Sequence, residues 1–588
     1  MTDPIEATFS SFDTTELFYR AWIPKGKPAR ALFLFHRGHE HSGRLVELVK
    51  ALNLEDFAVF AWDQRGHGRS PGERGYAPHL YDLMRDMEAF VKHASSLHGI
   101  PMENVVVFGH SVAAVIVALW VQNYAPRVRA MVLGTPALRV KLYVPFAIPA
   151  LRLYHFVTQK LGRSTPFIKS YVTGKLLTHD AEQARAYDSD ALISKQIAVN
   201  ILLGLYDGAT RVIQDAGAIR TPTLLLCARA DWVVKNLPQR QFFQRLSSSV
   251  KQVQVYKGFY HSIFHESGRM QPIEDTRRFI MQAFERPLDH SELKLADRSG
   301  YTKEEYQWLH AGLPMLSVKR LCYAAQKLVM RTIGKLSQGV ALGWKTGFDS
   351  GQSLDYVYAN KAQGATFVGR LIDRCYLESI GWRGIRQRKI NLHKLLLQTI
   401  SELSSNSKKS SPLRIVDIAG GPARYVLDAI GSVPDVRFDV LIRDWSEEGL
   451  AKGQRLAQEL KLSDVRYQRA DAFSTESLRE IPRGVDIGIV SGLYELFPDN
   501  SMVARSLQGL CEAIAPKGYL IYTNQPWHPQ IEMIAEVLIN RDKQPWIMRR
   551  RTQAEMDELV RQAGFEKVAM EIDNFGIFTV SLARRVQR

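Results

Sequence analysis

A candidate catalytic serine, Ser111, lies in the segment VVVFGHSVAA at 105–114, between an apolar run typical of a buried strand and a stretch typical of a helix. A sharp strand-to-helix turn exposes a serine hydroxyl on a strained backbone, which is the geometry of a nucleophile elbow. Gly109 and Ala113, two residues before and after the serine, are small enough for such a turn to pack closely. The segment therefore predicts an activated serine nucleophile.

An acid and a histidine follow this serine in the chain order that such a scaffold uses. Asp231 comes shortly after the apolar run TLLLCA, and His261 comes after the run VQVYKGFY. Asp231 would orient His261, and His261 would take the proton of Ser111 as a general base. These three residues are the predicted catalytic triad.

Two further motifs accompany the triad, HRGHEHSGR at 36–44 and DQRGHGRS at 63–70. Together with the serine elbow they resemble the monoacylglycerol lipase/lysophospholipase family of α/β-hydrolases, over about residues 10–285. The resemblance implies an ester substrate that is a small molecule or a lipid, and a lid inserted at about 139–200. It also implies an oxyanion hole made by the backbone N–H groups of Gly38 and Val112.

Arg37 departs from this family, which usually has glycine at that position. An arginine beside an oxyanion hole could bind a phosphate, which would favour a lysophospholipid over a neutral glyceride. The alternative is that Arg37 points into solvent.

A second candidate site begins at 414–425, where RIVDIAGGPARY has a strand ending at Asp417, a glycine-rich turn and a helix. Such a turn brings a ligand close to the backbone at the carboxyl edge of a sheet. Asp444 follows the second strand, where a carboxylate would accept both ribose hydroxyls. Asp471 follows the third strand, where it or the adjacent backbone would meet an adenine amino group. NAD is the competing ligand, but the G-x-G-x-x-G spacing that it needs is missing.

This succession resembles the class I S-adenosylmethionine-dependent methyltransferases, over about residues 412–585. The resemblance implies S-adenosyl-L-methionine as the cofactor. The residues predicted to bind it are Asp417, Ala419, Gly420, Gly421, Asp444, Asp471, Ala472 and Ser491.

The acceptor side of this site has three candidates, Tyr494 and Glu495 after the fourth strand and His528 after the fifth. Each could take a proton from an acceptor hydroxyl or amine, and each could equally be part of the pocket wall. Upstream, residues 347–364 and 378–389 resemble the start of a bacterial methyltransferase family of unassigned substrate that is often fused to such a hydrolase. Their aromatic and basic residues could shape the acceptor pocket or brace the domains.

Two successive α/β patterns must position these residues. Hydrophobic residues make up 46% and charged residues 23% of the 588 residues, which excludes a disordered or low-complexity chain. We predict an α/β-hydrolase domain at 1–286, a basic helical bridge at 287–410 and a Rossmann-like methyltransferase domain at 411–588. The polar run SSNSKKSSP at 404–412 is the expected flexible joint.

The strands of both patterns are predicted from apolar runs that alternate with helical stretches. The lid region is predicted to be mostly helical. The predicted strands are Ala31–Phe35, Val59–Trp62, Val105–Phe108, Ala130–Leu133 and Thr223–Cys227 in the first pattern, and Arg414–Ile418, Phe438–Ile442, Val465–Arg469, Val485–Val490 and Tyr519–Thr523 in the second.

The net charge of +17 is concentrated in two acid-free stretches. Nine Lys or Arg lie between Glu103 and Asp180, and six lie between Glu305 and Asp349. Because these basic residues are spaced among apolar ones, we expect peripheral contact with an anionic membrane and no nucleic acid partner. A solvated basic face with no partner is the alternative.

Within the second of these stretches, residues 318–336 place Leu321, Leu328 and Arg331 near one helical face, and internal packing is the expected use of its apolar residues. The four cysteines lie far apart, mostly in apolar runs, so we expect buried thiols and no metal site. With neither a signal peptide nor a run of about 18 apolar residues, we expect a cytoplasmic location, peripheral on the inner face of the membrane.

We therefore predict a bifunctional enzyme, a serine ester hydrolase joined to an S-adenosylmethionine-dependent methyltransferase, that acts on lipids or lipid-derived molecules. The alternative is an RNA or protein methyltransferase whose hydrolase-like domain is not catalytic and binds a membrane or a partner.

Overall fold

The structure is a computed structural model that describes residues 3–406 and 411–586, without the side chain of Asn406. The chain forms two compact units, Met1–Asp289 and His290–Arg588. The helical segment predicted as a bridge at 287–410 thus falls almost wholly in the second unit. Of the joint predicted at 404–412, residues 407–410 lie outside the described residues.

The described residues of the first unit form ten strands and nine α-helices. The strands are β1 (Ile5–Ser10), β2 (Glu16–Trp22), β3 (Arg30–Phe35), β4 (Phe57–Trp62), β5 (Val105–His110), β6 (Ala130–Gly134), β7 (Phe167–Lys169), β8 (Gln196–Ala198), β9 (Thr223–Ala228) and β10 (Lys251–Tyr256). The helices are α1 (Val46–Leu52), α2 (Leu80–His98), α3 (Val112–Tyr124), α4 (Ala147–Lys160), α5 (Gly174–Leu177), α6 (Ala181–Ser189), α7 (Val199–Gln214), α8 (Asn236–Arg245) and α9 (Met270–Ala283).

Eight of these strands form one sheet in the order β1-β2-β4-β3-β5-β6-β9-β10, parallel from β4 to β10. The central strands are buried on both faces, which explains why they are continuous apolar runs in the sequence. All five strands predicted from such runs are present. The antiparallel pair β1 and β2 was not predicted, because β1 is partly exposed and lacks a continuous apolar run. The fold of this unit is the α/β-hydrolase fold.

The insertion predicted as a mostly helical lid at 139–200 contains α4, α5 and α6, but also a short antiparallel sheet of β7 and β8. Strand β7 pairs with β8 from Phe167↔Ala198 to Lys169↔Gln196. Each strand has only three residues, too short for a periodic signal in the sequence.

In the part of the second unit that the structure describes, there are seven strands and twelve α-helices. The strands are β11 (Leu413–Ile418), β12 (Phe438–Asp444), β13 (Val465–Arg469), β14 (Val485–Val490), β15 (Ile514–Asn524), β16 (Phe565–Ile572) and β17 (Thr579–Arg585). The helices are α10 (Tyr301–Ala311), α11 (Val318–Arg331), α12 (Gln338–Thr346), α13 (Gly351–Ala359), α14 (Phe367–Leu377), α15 (Ile380–Asn406), α16 (Arg424–Gly431), α17 (Glu447–Glu459), α18 (Thr475–Arg479), α19 (Asn500–Ala513), α20 (Ile531–Val537) and α21 (Gln553–Gln562).

The seven strands form one sheet in the order β13-β12-β11-β14-β15-β17-β16, in which only β17 is antiparallel to its neighbours. All five predicted strands are present, and the terminal pair β16 and β17 was not predicted. The order reverses between β11 and β14, a switch point at which ligands bind in open α/β sheets. Helix α15 packs on this sheet through Leu392, Leu396 and Ile400, which are fully buried.

Helix α11 contradicts the expectation that its apolar residues pack internally. Leu321 and Leu328 are 63% and 64% exposed. The opposite side of the helix faces α20, because Lys319 forms an ion pair with Glu532 and the Lys327 ammonium donates to the carbonyl of Glu536. The apolar stripe therefore points away from the unit.

The cysteines were only half correctly predicted. Cys227 and Cys511 are buried, whereas Cys322 and Cys375 are exposed on helices α11 and α14. No helix among the described residues is long and apolar enough to cross a membrane.

Candidate functional sites

The serine of the predicted elbow lies directly between β5 and α3, with backbone angles φ of 57° and ψ of −113°. The Ser111 N–H donates to the carbonyl of Gly134 over 2.8 Å, which fixes the turn against β6. A Cβ added to Gly109 would lie 2.8 Å from the carbonyl oxygen of Ala113, so the turn has no room for a larger residue there. The local packing thus explains the two small residues around the serine.

The structure brings the three predicted triad residues together from different loops. The Ser111 hydroxyl lies 2.8 Å from His261 Nε2, and His261 Nδ1 lies 2.8 Å from Asp231 Oδ2. The other oxygen, Asp231 Oδ1, accepts the N–H groups of Val233 and Val234 at 2.7 and 2.9 Å. Because both carboxylate oxygens are engaged, Asp231 holds the imidazole in the orientation that a general base needs.

The two residues predicted to form the oxyanion hole lie beside this serine. Gly38 and Val112 line the same cavity as Ser111 and His261, a space of about 130 Å³ with mainly apolar walls. A Cβ on Gly38 would lie 2.9 Å from Val112 Cγ2, so glycine permits the close approach of the two segments. Backbone N–H groups placed in this way can stabilise an oxyanion that develops on an ester carbonyl.

Arg37 neither points into solvent nor offers a free guanidinium for a phosphate. Its Nε and Nη2 donate to Glu40 Oε2 and Oε1 over 2.9 and 2.5 Å, and both side chains are buried. Burial alone would raise the pKa of Glu40, but pairing with Arg37 outweighs burial and lowers that pKa below its ordinary value. The charge on Arg37 is therefore already neutralised by a two-point ion pair.

The lid exposes a large amount of apolar surface. Phe146 is 84% exposed at the start of α4. Further exposed apolar residues near it in the chain are Tyr143, Val144, Leu153, Tyr154, Phe156, Val157 and Leu161. Because monomeric proteins rarely expose large contiguous apolar patches, this surface is a candidate interaction site.

The second unit contains a cavity of about 1200 Å³ at the carboxyl edge of its sheet. It is larger than the roughly 300–1,000 Å³ of an ordinary small-molecule pocket. Seven of the eight residues predicted to bind the methyl donor line it: Ala419, Gly420, Gly421, Asp444, Asp471, Ala472 and Ser491. The cavity therefore has room for a second molecule beside a donor.

The loop after β11 has a conformation suited to a ligand. Ala419, Gly421 and Ala423 all have positive φ values, of 56°, 55° and 51°. Asp444 Oδ2 accepts the Gly421 N–H over 2.8 Å, which fixes the glycine turn to the end of β12. Apart from its two neighbours in the chain, no atom of the described residues lies within 4 Å of a Cβ built on Gly421, so the space above this glycine is open.

Asp417 is the predicted donor-binding residue that does not line the cavity. It lies fully buried beneath the turn, where a Cβ on Gly420 would come within 2.5 Å of its Oδ2. The Tyr425 hydroxyl donates to Asp417 Oδ2, whereas Oδ1 has no hydrogen-bond partner among the described residues. Burial raises the pKa of Asp417 to about 8. Asp417 therefore supports the turn from below.

Tyr494 was wrongly predicted as an acceptor-side residue. A single helical turn at Tyr494–Leu496 directs its ring into the core, where it is 2% exposed and its hydroxyl donates to Ser506 over 3.0 Å. Burial raises the pKa of this hydroxyl well above its ordinary value. Tyr494 has no access to a ligand in the cavity.

Glu495 and His528 do line the cavity. Glu495 Oε1 accepts the Thr523 hydroxyl over 2.9 Å and lies 3.6 Å from Arg388 Nη1, whereas its buried Oε2 has no hydrogen-bond partner among the described residues. Burial lowers the pKa of His528 to about 4. Since its Nδ1 accepts the Gln530 N–H, the neutral ring carries its hydrogen on Nε2 and acts as a donor.

Sequence reasoning did not single out Arg388, although it lies within the segment 378–389. Its side chain lines the cavity, is 8% exposed, and lies with its guanidinium carbon 5.1 Å from the ring centre of Phe578. One feature of the sequence could have identified it. Arg388 follows Ile385 by three residues, so the two lie on the same face of the helix, and Ile385 is buried.

Replacement of Arg37 by Met is expected to destabilise the first unit by about 3–5 kcal/mol, because it leaves Glu40 as a buried unpaired charge. The double variant Arg37→Met with Glu40→Leu should recover most of that loss. Urea-induced unfolding measures both. Arg152→Met, which removes an exposed pair with Asp207, is the matched control and should cost at most about 1 kcal/mol. If Arg37→Met lowered the free energy of unfolding as little as Arg152→Met does, the result would contradict a buried ion pair.

The protonation of Asp417 predicts a pH-dependent stability of the second unit. The folded carboxyl keeps its proton up to about pH 8, whereas the unfolded one loses it near its ordinary pKa of about 3.9. This stabilisation is full below about pH 4 and is lost toward pH 8, at roughly 1.4 kcal/mol per pH unit. Asp417→Asn should remove that slope in urea titrations across this range. Asp435→Asn, at an exposed position, is the control and should keep the slope of the wild type. Equal slopes for the wild type and Asp417→Asn would refute the raised pKa of Asp417.

Two family profiles match the chain. Residues 276–585, more than half of it, match the family described as "Putative methyltransferase", and residues 26–268 match the family described as "Serine aminopeptidase, S33". The matches fall on the two units separately but for the first residues of the methyltransferase match.

Curated relatives divide in the same way. "Uncharacterized protein YnbC" of Escherichia coli strain K12 is 47% identical over 586 residues, which cover 99% of this chain and 98% of that protein. The monoacylglycerol lipase of Mycolicibacterium smegmatis is 27% identical over 278 residues, 47% of this chain and 96% of the lipase. Human monoglyceride lipase is 28% identical over 272 residues, 43% of this chain and 86% of the lipase. The chain therefore belongs to the methyltransferase family that matches residues 276–585, and its first unit is a monoglyceride lipase-like hydrolase domain.

Proposed function

We propose that the first unit is a serine esterase that cleaves lipid esters through an acyl-Ser111 intermediate. The observation that carries this proposal is the unbroken hydrogen-bond chain from Asp231 through His261 to Ser111 beside a mainly apolar cavity. An apolar wall suits an acyl chain. The names of the lipase relatives add support for a monoacylglycerol-type ester.

The proposed reaction has two steps. Ser111 Oγ attacks the ester carbonyl while His261 Nε2 takes its proton, and the N–H groups of Gly38 and Val112 receive the oxyanion. His261 then returns the proton to the leaving alcohol. A water molecule, activated in the same way, hydrolyses the acyl-enzyme and releases the carboxylate.

The pairing of Arg37 favours a neutral ester over a lysophospholipid. Recognition of a phosphate by Arg37 would draw on a charge that Glu40 already neutralises through a two-point bond. A neutral glyceride makes no such demand.

Peripheral contact with an anionic membrane is part of this proposal. The exposed apolar residues of the lid lie among Lys141, Arg152 and Lys160, and no acidic residue occurs between Glu103 and Asp180. Apolar side chains with basic neighbours are the combination that an anionic lipid surface attracts. Helix α11 shows the same combination, with an exposed apolar stripe and Arg320 and Arg331 nearby.

For the second unit we propose methyl transfer from S-adenosyl-L-methionine. When bound, this cofactor supplies an electrophilic methyl group on a sulfonium. The residues present fit it: the left-handed turn at 419–421 leaves open space, Asp444 offers a carboxylate at the end of β12, and the loop at 471–473 follows β13.

The first half of the proposal is tested with Ser111→Ala. We expect hydrolysis of a monoacylglycerol to fall by at least about 1,000-fold, because the variant has no nucleophile. A fluorophosphonate probe should label the wild type and the control variant Ser189→Ala, whose serine is exposed in the lid, but not Ser111→Ala. Failure of the probe to label the folded wild type would instead favour a non-catalytic, membrane- or partner-binding first unit.

The second half is tested with Asp444→Asn. We expect the affinity for S-adenosyl-L-methionine, measured by isothermal titration calorimetry, to fall about 10- to 100-fold because a charged acceptor is lost. Asp435→Asn, exposed in the loop before β12, is the matched control and should bind as the wild type does. A wild type that shows no heat of binding would refute the cofactor.

A further inference from the structure

The cavity of the second unit has a polar end and an apolar end. Its polar end lies at the sheet edge, at Gly421, Asp444 and Ser491. Its remaining wall is largely apolar and includes Met330, Ile385, Trp546 and Phe578. A methyl donor accounts for the polar end only, so the apolar remainder needs a second occupant with a long apolar part.

Helix α15 forms one side of this apolar wall. Gly381, Trp382, Ile385 and Arg388 all line the cavity from that helix. Gly381 and Arg388 are two turns apart, or roughly 10 Å along the axis. The wall thus runs from an arginine at one end to apolar residues at the other.

Arg388 lies at the end of the wall that meets the sheet edge. A Cβ on Gly492, the residue after Ser491, would lie 3.2 Å from Arg388 Nη2. Since Ser491 follows β14, next to the switch point of the sheet, the guanidinium lies close to where a group must be transferred.

The guanidinium is under-paired for a buried cation. Among the described residues, Nη2 donates to the Tyr358 hydroxyl over a long 3.4 Å, and Nη1 lies 3.6 Å from Glu495 Oε1, beyond hydrogen-bond distance. Nε has no hydrogen-bond partner there. Arg37 in the first unit, also buried, makes two bonds of 2.9 and 2.5 Å to one carboxylate. Arg388 therefore retains donors for a planar anion.

A carboxylate acceptor differs from a hydroxyl or an amine in its need for a base. An acceptor hydroxyl or amine needs one, whereas His528, one of the two predicted bases, carries its hydrogen on Nε2. A carboxylate needs no base, because it is already ionised at neutral pH.

We propose that the methyl acceptor of the second unit is a long-chain carboxylate, bound by Arg388 with its chain along the apolar wall, and that the product is its methyl ester. This inference rests on the proposed methyl transfer and names its substrate class. A carboxylate oxygen attacks the methyl carbon, a C–O bond forms as the S–CH₃ bond breaks, and the electron pair of that bond stays on sulfur as a neutral thioether. No proton is released.

The proposal also relates the two activities. Hydrolysis of a lipid ester releases a long-chain carboxylate, which is the acceptor class inferred here. Ester hydrolysis, the reaction proposed for the first unit, is thus the class of reaction that must supply this substrate.

The test uses the full chain and three probes that share one chain and differ in the head group: dodecanoate, dodecanol and dodecylamine. Calorimetry without any methyl donor measures their binding. We expect Arg388→Met to weaken dodecanoate binding about 10- to 100-fold, and Arg388→Lys to restore only part of it because Lys cannot bind in two-point fashion. Arg383→Met, which removes an exposed arginine five residues earlier on α15, is the matched control and should not change dodecanoate binding.

A second measurement follows the product. With tritiated S-adenosyl-L-methionine and dodecanoate, the label should enter a hexane-extractable product and be released by alkali as volatile methanol. Label in dodecanol or dodecylamine but not in dodecanoate would overturn the proposal, as would equal dodecanoate affinities for Arg388→Met and Arg383→Met. Donor binding without methylation of dodecanoate refutes the acceptor alone, whereas absence of donor binding refutes the methyltransferase itself.

Discussion

Both sites depend on one constraint, the alignment of parallel strands that end at a common edge. In the first unit, His110 at the end of β5 pairs with Gly134 of β6, and Gly134 pairs with Leu226 of β9. This register brings the loops that carry Ser111 and Asp231 side by side although 120 residues separate them in the chain. In the second unit the same alignment gathers the loops after β11, β12, β13 and β14 around one cavity. A shift of one residue in the pairing of these strands would disrupt either site, because it would turn every side chain of the shifted strand to the opposite face of the sheet.

The two buried arginines, Arg37 and Arg388, differ in how fully their charges are paired. This difference in partners, more than their burial, decides whether the guanidinium is available to a ligand. Arg37 makes a two-point bond to Glu40, so its charge is already paired within the fold. Arg388 is equally buried but meets only a distant carboxylate and a long hydrogen bond. A buried charge without full compensation costs stability, and a bound anion would complete the pairing of Arg388.

The sequence was most informative where chemistry and local backbone geometry coincide. The serine elbow, the triad order and the glycine turn each need particular residues at a fixed spacing, and the structure places all of them where the spacing predicted. It was least informative about orientation. Tyr494 and Glu495 are adjacent, yet a single helical turn sends one into the core and the other to the cavity. The exposed stripe of α11 was misjudged for the same reason, since periodicity reveals an apolar face but not whether a neighbour covers it. The pairing of Arg37 depends on Glu40, three residues away, and only the bend of that loop turns the two side chains toward each other.

The strained backbone of Ser111 affects which residue is favoured at this position during evolution. Its positive φ of 57° is a conformation that glycine adopts freely and that costs a residue with a side chain on the order of 1–3 kcal/mol. Glycine at this position would remove the strain, so a substitution of Ser111 by glycine is expected to stabilise the fold. Selection for stability alone would therefore favour glycine at this position. A serine is expected to persist there only in a protein that uses its hydroxyl.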